Sequence, residues 1–392
     1  MGGGGSVNTE VRSQKSEHGH QRSGFSTGST CRKATSWLCL FMGSVVALAL
    51  TCCITSLSWA DVDAAARQLQ SEARRLAEEA HEQEAMAVRG TDGWLFFDQE
   101  LAHVAAGRFW GVDAAKVSRA SNPDFADPLP AILDFHAQLR DIDVDLLLVP
   151  VPPKAMIYPD KLMTGLTLGD PLPRLDPSHQ EFYALLRENG VQVLDLTDTF
   201  LQERFAEQGP LYCRQDTHWS GLACVLAAQK IAGMIQEMSW HAEAKTRSFD
   251  HQWQDAQISG DLWRSLDDPD LKRESVALRR VGQKTAAGLE PVEPEQDSPI
   301  ILLGDSHNLV FHAGGDMHAR GAGLADQLAL ELGLPVDLIA VRGSGATPAR
   351  INLFRRSQRN PDYWQDKKLV VWVFTSREFT HSDGWRIVPI AP

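Results

Sequence analysis

The chain is short of positive charge. Its 392 residues carry 38 lysines and arginines against 51 aspartates and glutamates, a formal net charge of −13. Binding a phosphate backbone needs a basic face, so this balance excludes a nucleic-acid partner. Cysteine is also scarce. Of six, Cys31, Cys39, Cys52 and Cys53 lie in or beside one apolar segment, leaving only Cys213 and Cys224 for the remainder. No internal repeat is present. Nor does any cysteine or carboxylate cluster complete a metal-ligand pattern around His307, His312 and His318, although His-x4-His is a usable ligand spacing. No metal and no cofactor is expected.

One stretch lacks charge of either sign. From Ala34 to Ala60 there is no charged residue, and the run Trp37–Leu57 is long enough to cross a bilayer. Ahead of it, residues 1–33 are rich in Gly, Ser, Gln and charge and read as a disordered tail. In that tail Arg12, Lys15, Arg22, Arg32 and Lys33 outnumber Glu10 and Glu17, so the positive-inside rule places it in the cytoplasm and the body of the protein outside. Two readings stay open for 34–60. It is either a retained signal anchor in the inner membrane or a signal peptide cleaved near Ala60, where Ser58-Trp59-Ala60 has the small-x-small pattern. The second would leave a soluble periplasmic protein.

Residues 61–89 form a helical linker, Ala-, Glu-, Gln- and Arg-rich with no Gly or Pro through 88, and read as an exposed helix. The globular domain, 90–392, opens with the turn and apolar run Gly93-Trp94-Leu95-Phe96. Apolar strand-like runs then alternate with helical ones. Strands are expected at Val144–Val151, Val191–Leu196, Ile300–Leu303, Val336–Val341 and Leu369–Phe374, with helices at Pro177–Glu188, Ser220–Met238 and 321–333. Such alternation predicts an α/β sandwich around a mostly parallel sheet, with the site at the carboxyl ends of its strands. Residues 239–297 interrupt the pattern. They are polar and Asp/Glu/Pro-rich, and read as an insertion, a candidate substrate-facing flap. Most of the eleven tryptophans are expected in the core.

Two short strings carry chemistry. Asp216-Thr217-His218 puts a carboxylate and an imidazole at period-two spacing, so both side chains point the same way and Asp216 can orient His218. Gly304-Asp305-Ser306 follows a buried strand directly, placing Ser306 on a tight turn in the manner of a nucleophile elbow. A serine hydroxyl becomes a nucleophile only when a base takes its proton and a third group fixes that base. Each string also has a plain structural reading, as a helix cap after a strand or as a surface loop. Cys213 and Cys224 flank the Asp216–His218 loop and are either a disulfide stapling it or two separate buried thiols.

Taken in order, a larger set of motifs resembles the AlgJ/AlgX family of alginate O-acetyltransferases. The matching pieces are Gly93-Trp94-Leu95-Phe96, Val149-Pro150-Val151-Pro152 with Lys154 and Tyr158-Pro159, and Asp216-Thr217-His218-Trp219. They continue with Ser259-Gly260-Asp261-Leu262, Gly304-Asp305-Ser306 and Val370-Val371-Trp372-Val373-Phe374 leading to Arg377-Glu378. In that family Asp and His precede the serine and are spaced D-x-H, as here.

The resemblance implies a three-layer α/β/α fold like that of SGNH hydrolases. It implies Ser306 as nucleophile, His218 as general base and then acid, and Asp216 as the residue orienting His218. Ser306, Gly343 and Gly345 are candidate oxyanion-hole donors. Lys154, Tyr158, Trp219, Arg342 and Arg377 are candidate substrate-binding residues. A polysaccharide acceptor is implied, with acetyl relayed by a membrane-bound O-acyltransferase. Lacking the carbohydrate-binding module of the longer members, the chain is closer to the single-domain, membrane-anchored AlgJ type. The same residues would serve an acetylesterase, and a non-catalytic polysaccharide-binding scaffold is a further alternative.

Overall fold

A computed structural model describes residues 59–166, 169 and 171–390. The tail expected at 1–33 and the membrane segment expected at 34–60 lie outside these residues, apart from Trp59 and Ala60. Among the described residues no helix is long and apolar enough to cross a membrane.

The strands, in chain order, are β1 (Ala87–Arg89), β2 (Leu95–Phe97), β3 (Asp145–Val151), β4 (Gln192–Val193) and β5 (Asp250–Gln257). They continue with β6 (Ser275–Thr285), β7 (Gly288–Glu290), β8 (Ile300–Gly304), β9 (Asp337–Ala340) and β10 (Leu369–Thr375). Five of them make one sheet in the order β4-β3-β10-β8-β9, and every pairing in it is parallel.

Its central strands are apolar throughout apart from Asp145 at the start of β3 and Thr375 at the end of β10, because both faces are covered. On β8, Ile300 and Leu302 enter one core while Ile301 and Leu303 enter the other. Strand β10 repeats this, with Leu369, Val371 and Val373 on one side and Val370, Trp372 and Phe374 on the other. The helix Gly221–Gln236 packs on the first face through Ala223, Ala227 and Ile231. The helices Pro128–Arg140, Pro177–Glu188 and Thr347–Arg359 cover the second through Phe135, Phe182 and Leu353. The result is a three-layer α/β/α sandwich.

Chain order reverses about the middle of this sheet. β3 is followed outward by β4, whereas β8 is followed outward by β9 on the other side, with β10 between β3 and β8. Ligands of open α/β sheets gather at the carboxyl ends of strands beside such a reversal. Ser306, Arg377 and Lys154 all follow directly from the ends of these three strands.

Two expectations need correction. The segment expected as an exposed linker is the helix Trp59–Glu82, whose Ala65, Ala66, Leu69, Ala73, Ala77 and Ala80 are buried in the first core. Small residues at helical spacing let it lie close to its neighbour, and the span Thr55–Pro392 forms one unit. The strand expected at Val191–Leu196 is cut to Gln192–Val193, because Asp195 turns away to accept from Thr197 N–H and to pair with Arg174. The stretch 239–297, expected as an insertion, is built around an antiparallel sheet. It holds β5, β6 and β7 in an antiparallel sheet, with Val276 and Leu278 of β6 in the core.

Candidate active site

The loop carrying Asp216 and His218 is the tip of a short antiparallel ladder. Tyr212 pairs with Trp219 across it, Cys213 N–H donates to His218 O at 3.2 Å, and Ser220 N–H donates to Leu211 O at 2.8 Å. Ser220 Oγ then caps the helix Gly221–Gln236 by accepting from Ala223 N–H. Glu274 holds the tip from the side, accepting from the backbone N–H of Arg214 and Gln215 at 2.8 and 2.9 Å. Gly260 lies so close that a Cβ there would overlap the Gln215 carbonyl oxygen.

The serine sits where β8 runs out. A side chain on Gly304 would overlap the Val373 carbonyl of β10, so only glycine fits. Asp305 then ties the two strand ends together. Its Oδ2 accepts from Thr375 N–H at 2.7 Å and its Oδ1 from His307 N–H at 2.9 Å. Ser306 follows at the start of a single 3₁₀ turn, Ser306–Asn308, half-buried at the surface.

These two segments meet. His218 Nδ1 lies 2.6 Å from Asp216 Oδ1, and His218 Nε2 lies 2.8 Å from Ser306 Oγ. Asp216 is 1% exposed and His218 6%. A proton on Nδ1 facing the carboxylate leaves Nε2 as the acceptor for the serine hydroxyl. Burial alone would drive the His218 imidazole pKa down. Asp216, with Asp261 and Asp305 behind it, outweighs burial and holds it above the ordinary value. Burial likewise opposes charge on Asp216, but His218 and His318 keep its carboxyl well below the usual carboxylate range.

Asp216 is saturated with donors. Oδ1 accepts from His218 N–H at 3.0 Å as well as from the ring, and Oδ2 accepts from Asp261 N–H and His318 Nε2, each at 2.9 Å. Asp261 in turn accepts from Thr217 N–H at 2.8 Å and Thr217 Oγ1 at 2.6 Å. Motif reading gave neither His318 nor Asp261 a role at the serine. Asp261 stood only inside the Ser259–Leu262 string, and His318 only as one member of a histidine cluster.

That cluster does not converge on one point. His307, His312 and His318 face separate carboxylates, of Asp305, Asp326 and Asp216. Donor atoms of Asp216, His218 and Asp261 do lie within 4.8 Å of one another, the one such group among the described residues. Their atoms are already committed to the hydrogen bonds above rather than aimed at a common centre.

Of the residues expected to hold substrate, three are structural. Lys154 is 1% exposed, and its Nζ donates to Leu95 O at 2.9 Å and Asp216 O at 2.6 Å. It braces the loop from below. The Tyr158 hydroxyl is buried between Arg204 O and Leu211 N–H. Trp219, fully buried, donates from Nε1 to His307 O at 3.0 Å and so joins the Asp216–His218 loop to the serine turn. In each case the sequence shows a polar tip, but the fold spends it on a backbone group that burial would otherwise leave unpaired. Arg342 is exposed and forks onto Asp316, with one arm at 2.7 Å.

Arg377 differs. It is half-buried just past the end of β10, its guanidinium 4.7 Å from the Phe97 ring centre and in the field of Asp98, Glu100 and Glu378, but that group makes no hydrogen bond or close ion pair among the described residues. Gly345 packs against the serine turn, where a Cβ would come within 2.8 Å of Asp305 N and 2.7 Å of Phe374 Cβ, whereas Gly343 is exposed. Neither Ser306 N–H nor Gly345 N–H has an acceptor among the described residues. Asn308 donates to Asp305 O and Val373 O, locking β8 to β10.

Cys213 and Cys224 are both buried and unbonded, so the disulfide expected as one reading is not formed. Cys213 Sγ–H donates instead to Trp219 O at 3.5 Å. Burial raises both thiol pKa values.

Fold and site together define the class. Residues 87–376 match the family described as "SGNH hydrolase-like domain, acetyltransferase AlgX", and the chain belongs to that family. Among particular relatives, the probable alginate O-acetylase AlgJ of Pseudomonas aeruginosa is 25% identical over 302 residues, covering 76% of this chain and 71% of that protein. The protein of the same name from Azotobacter vinelandii is 22% identical over 300 residues, 74% of this chain and 69% of its own. The solved O-acetyltransferase domain of Pseudomonas putida AlgJ superposes with a TM-score of 0.54 at 21% identity, over 75% of this chain and 92% of that domain. That last likeness is one of fold.

Proposed function

We propose that the chain is a polysaccharide O-acetyltransferase that acts on alginate in the periplasm through an acetyl-serine intermediate. The observation that carries this reading is the hydrogen-bonded line Ser306–His218–Asp216, at the carboxyl edge of a parallel sheet, in a member of this family. Its relatives are named alginate O-acetylases.

In the first half-reaction His218 Nε2 takes the proton of Ser306 Oγ as the oxygen attacks the acetyl carbonyl. The tetrahedral oxyanion is met by Ser306 N–H, with Gly345 or Gly343 N–H as the second donor. On collapse, His218 returns the proton to the departing donor group and Ser306 carries the acetyl. In the second half-reaction a sugar hydroxyl enters, loses its proton to the same Nε2 and attacks the acetyl-serine; the bond to Ser306 Oγ breaks, His218 returns the proton to Oγ, and the acetyl ester leaves on the sugar. Asp216 stays ionised throughout and stabilises the imidazolium formed in each half. Arg377, cationic and held by no protein hydrogen bond from its guanidinium among the described residues, faces the carboxylates of the acceptor polymer. The acetyl group is relayed by a membrane-bound O-acyltransferase, and the N-terminal segment tethers the chain to the inner membrane.

The test offers the full chain an acetyl ester with and without an alginate oligosaccharide. Acetylated oligosaccharide formed by wild type and not by Ser306→Ala supports the reading. Acetate release that ignores the oligosaccharide would make it an esterase, and sugar binding without turnover would make it a scaffold.

A further inference from the structure

The line of hydrogen bonds does not end at Asp216. It continues from Asp216 Oδ2 to His318 Nε2 at 2.9 Å, and His318 belongs to the same stretch of chain that begins with Ser306. Serine and second histidine thus close on the Asp216–His218 loop from both ends of one segment.

The backbone at His318 is unusual. Its φ is 70° and ψ −52°, and Ala319 N–H donates to Met317 O at 2.9 Å, which makes a three-residue turn of the rare, strained hand. Of the nearby positions with positive φ, Gly314, Gly315 and Gly321 are glycines, the residue that adopts this region without strain, and Phe311 is the other exception. At 318 the chain accepts the strain and keeps an imidazole. The turn is clasped from several sides. Gly314 N–H donates to Ala319 O at 2.8 Å, Phe311 N–H donates to Met317 O at 2.8 Å, and the exposed Arg342 fork holds Asp316. The ring is 6% exposed and lies 5.8 Å, centre to centre, from Phe311. Strain that the surroundings hold in place, at a residue touching the reacting line, is what a positioning role requires.

We infer that His318 is a positioning residue: its ring N–H, with Asp261 N–H, pins Asp216 Oδ2 so that Oδ1 cannot turn away from His218. This inference rests on the proposed reading of the Ser306 site. With one donor to Oδ2 gone, the carboxylate is free to swing about Cβ–Cγ, and its charge is less compensated. His218 is then oriented less well, and as an imidazolium it is stabilised more.

The decisive variant is His318→Gly. Glycine relieves the positive φ, so a role confined to folding and a role in positioning predict opposite pairs of results. The full chain is assayed with p-nitrophenyl acetate, and its thermal unfolding is followed in parallel. Expected is a Tm equal to or above wild type, kcat lower by about tenfold to about a hundredfold, KM unchanged, and the acid limb of kcat against pH moved to higher pH. His318→Gln, which offers an amide N–H in place of the ring N–H, should restore most of kcat. The inference is overturned if kcat of His318→Gly stays within about twofold of wild type. It is equally overturned if Tm and kcat fall together, with the pH profile unmoved and no rescue by glutamine. Ser306→Ala run alongside separates the two readings. If it is inactive while His318→Gly is normal, only the positioning role is lost, and if Ser306→Ala keeps wild-type turnover the reading of the site itself is lost.

Discussion

His218 and Ser306, separated by 88 positions in the chain, stand 2.8 Å apart at Nε2 and Oγ. Neither could reach the other without the sheet. Ser306 is delivered by β8 and locked by Asp305, and His218 is carried on a loop that Lys154, Glu274 and Trp219 brace from three sides.

The charge state of His218 sets a pH dependence. Burial lowers its pKa, Asp216, Asp261 and Asp305 raise it by more, and the net direction is upward. His307 lies beside it at 4.9 Å between ring centres and His318 contacts Asp216 from the far side. A general base works only when neutral, so activity is absent below this pKa and appears as pH rises through it. The acid limb of kcat/KM should therefore have its midpoint above the ordinary histidine value of about 6.5. A stopped-time assay across pH 5 to about 9 on a chromogenic acetyl ester measures it, and a midpoint below that value would contradict the assigned base.

Gly304→Ala should be costly out of proportion to one methyl group. The added Cβ has no room against the Val373 carbonyl, and separating β8 from β10 would also pull Asp305 from Thr375 N–H. Loss of about 1–3 kcal/mol in urea unfolding is expected for such overpacking, with turnover reduced further because Ser306 moves. A variant as stable and active as wild type would mean that the strand ends are not held as described.

Reductant should leave the protein unchanged. Cys213 and Cys224 are separate thiols, so dithiothreitol should not alter Tm, and both should label with a thiol reagent only after unfolding. A Tm that drops by several degrees on reduction, the order expected for losing a disulfide, would restore the staple between them.

Much of this architecture is legible in the sequence, and the pattern of what is not has a physical cause. Strands β3, β8 and β10 are buried on both faces and so announce themselves as unbroken apolar runs. The D-x-H spacing and the strand-end serine are local facts, readable without the fold. Lys154 and Tyr158 misled because a polar tip looks the same in sequence whether it meets a ligand or a buried carbonyl. Asp261 and His318 reach Asp216 only through tertiary approach, from positions 45 and 102 residues away. The tight turn centred on His318 has no signature in the residues around it, beyond the glycines at 314 and 315.

The most direct measurement is peptide mapping by mass spectrometry after the full chain meets an activated acetyl ester without acceptor. The mass of one acetyl group should appear on the peptide containing Ser306 and vanish when an alginate oligosaccharide is added, with the acetyl recovered on the sugar. It should be absent in Ser306→Ala and strongly reduced in His218→Ala. Acetylated sugar produced while Ser306 never carries the group, or produced equally by Ser306→Ala, would contradict an acetyl-serine mechanism.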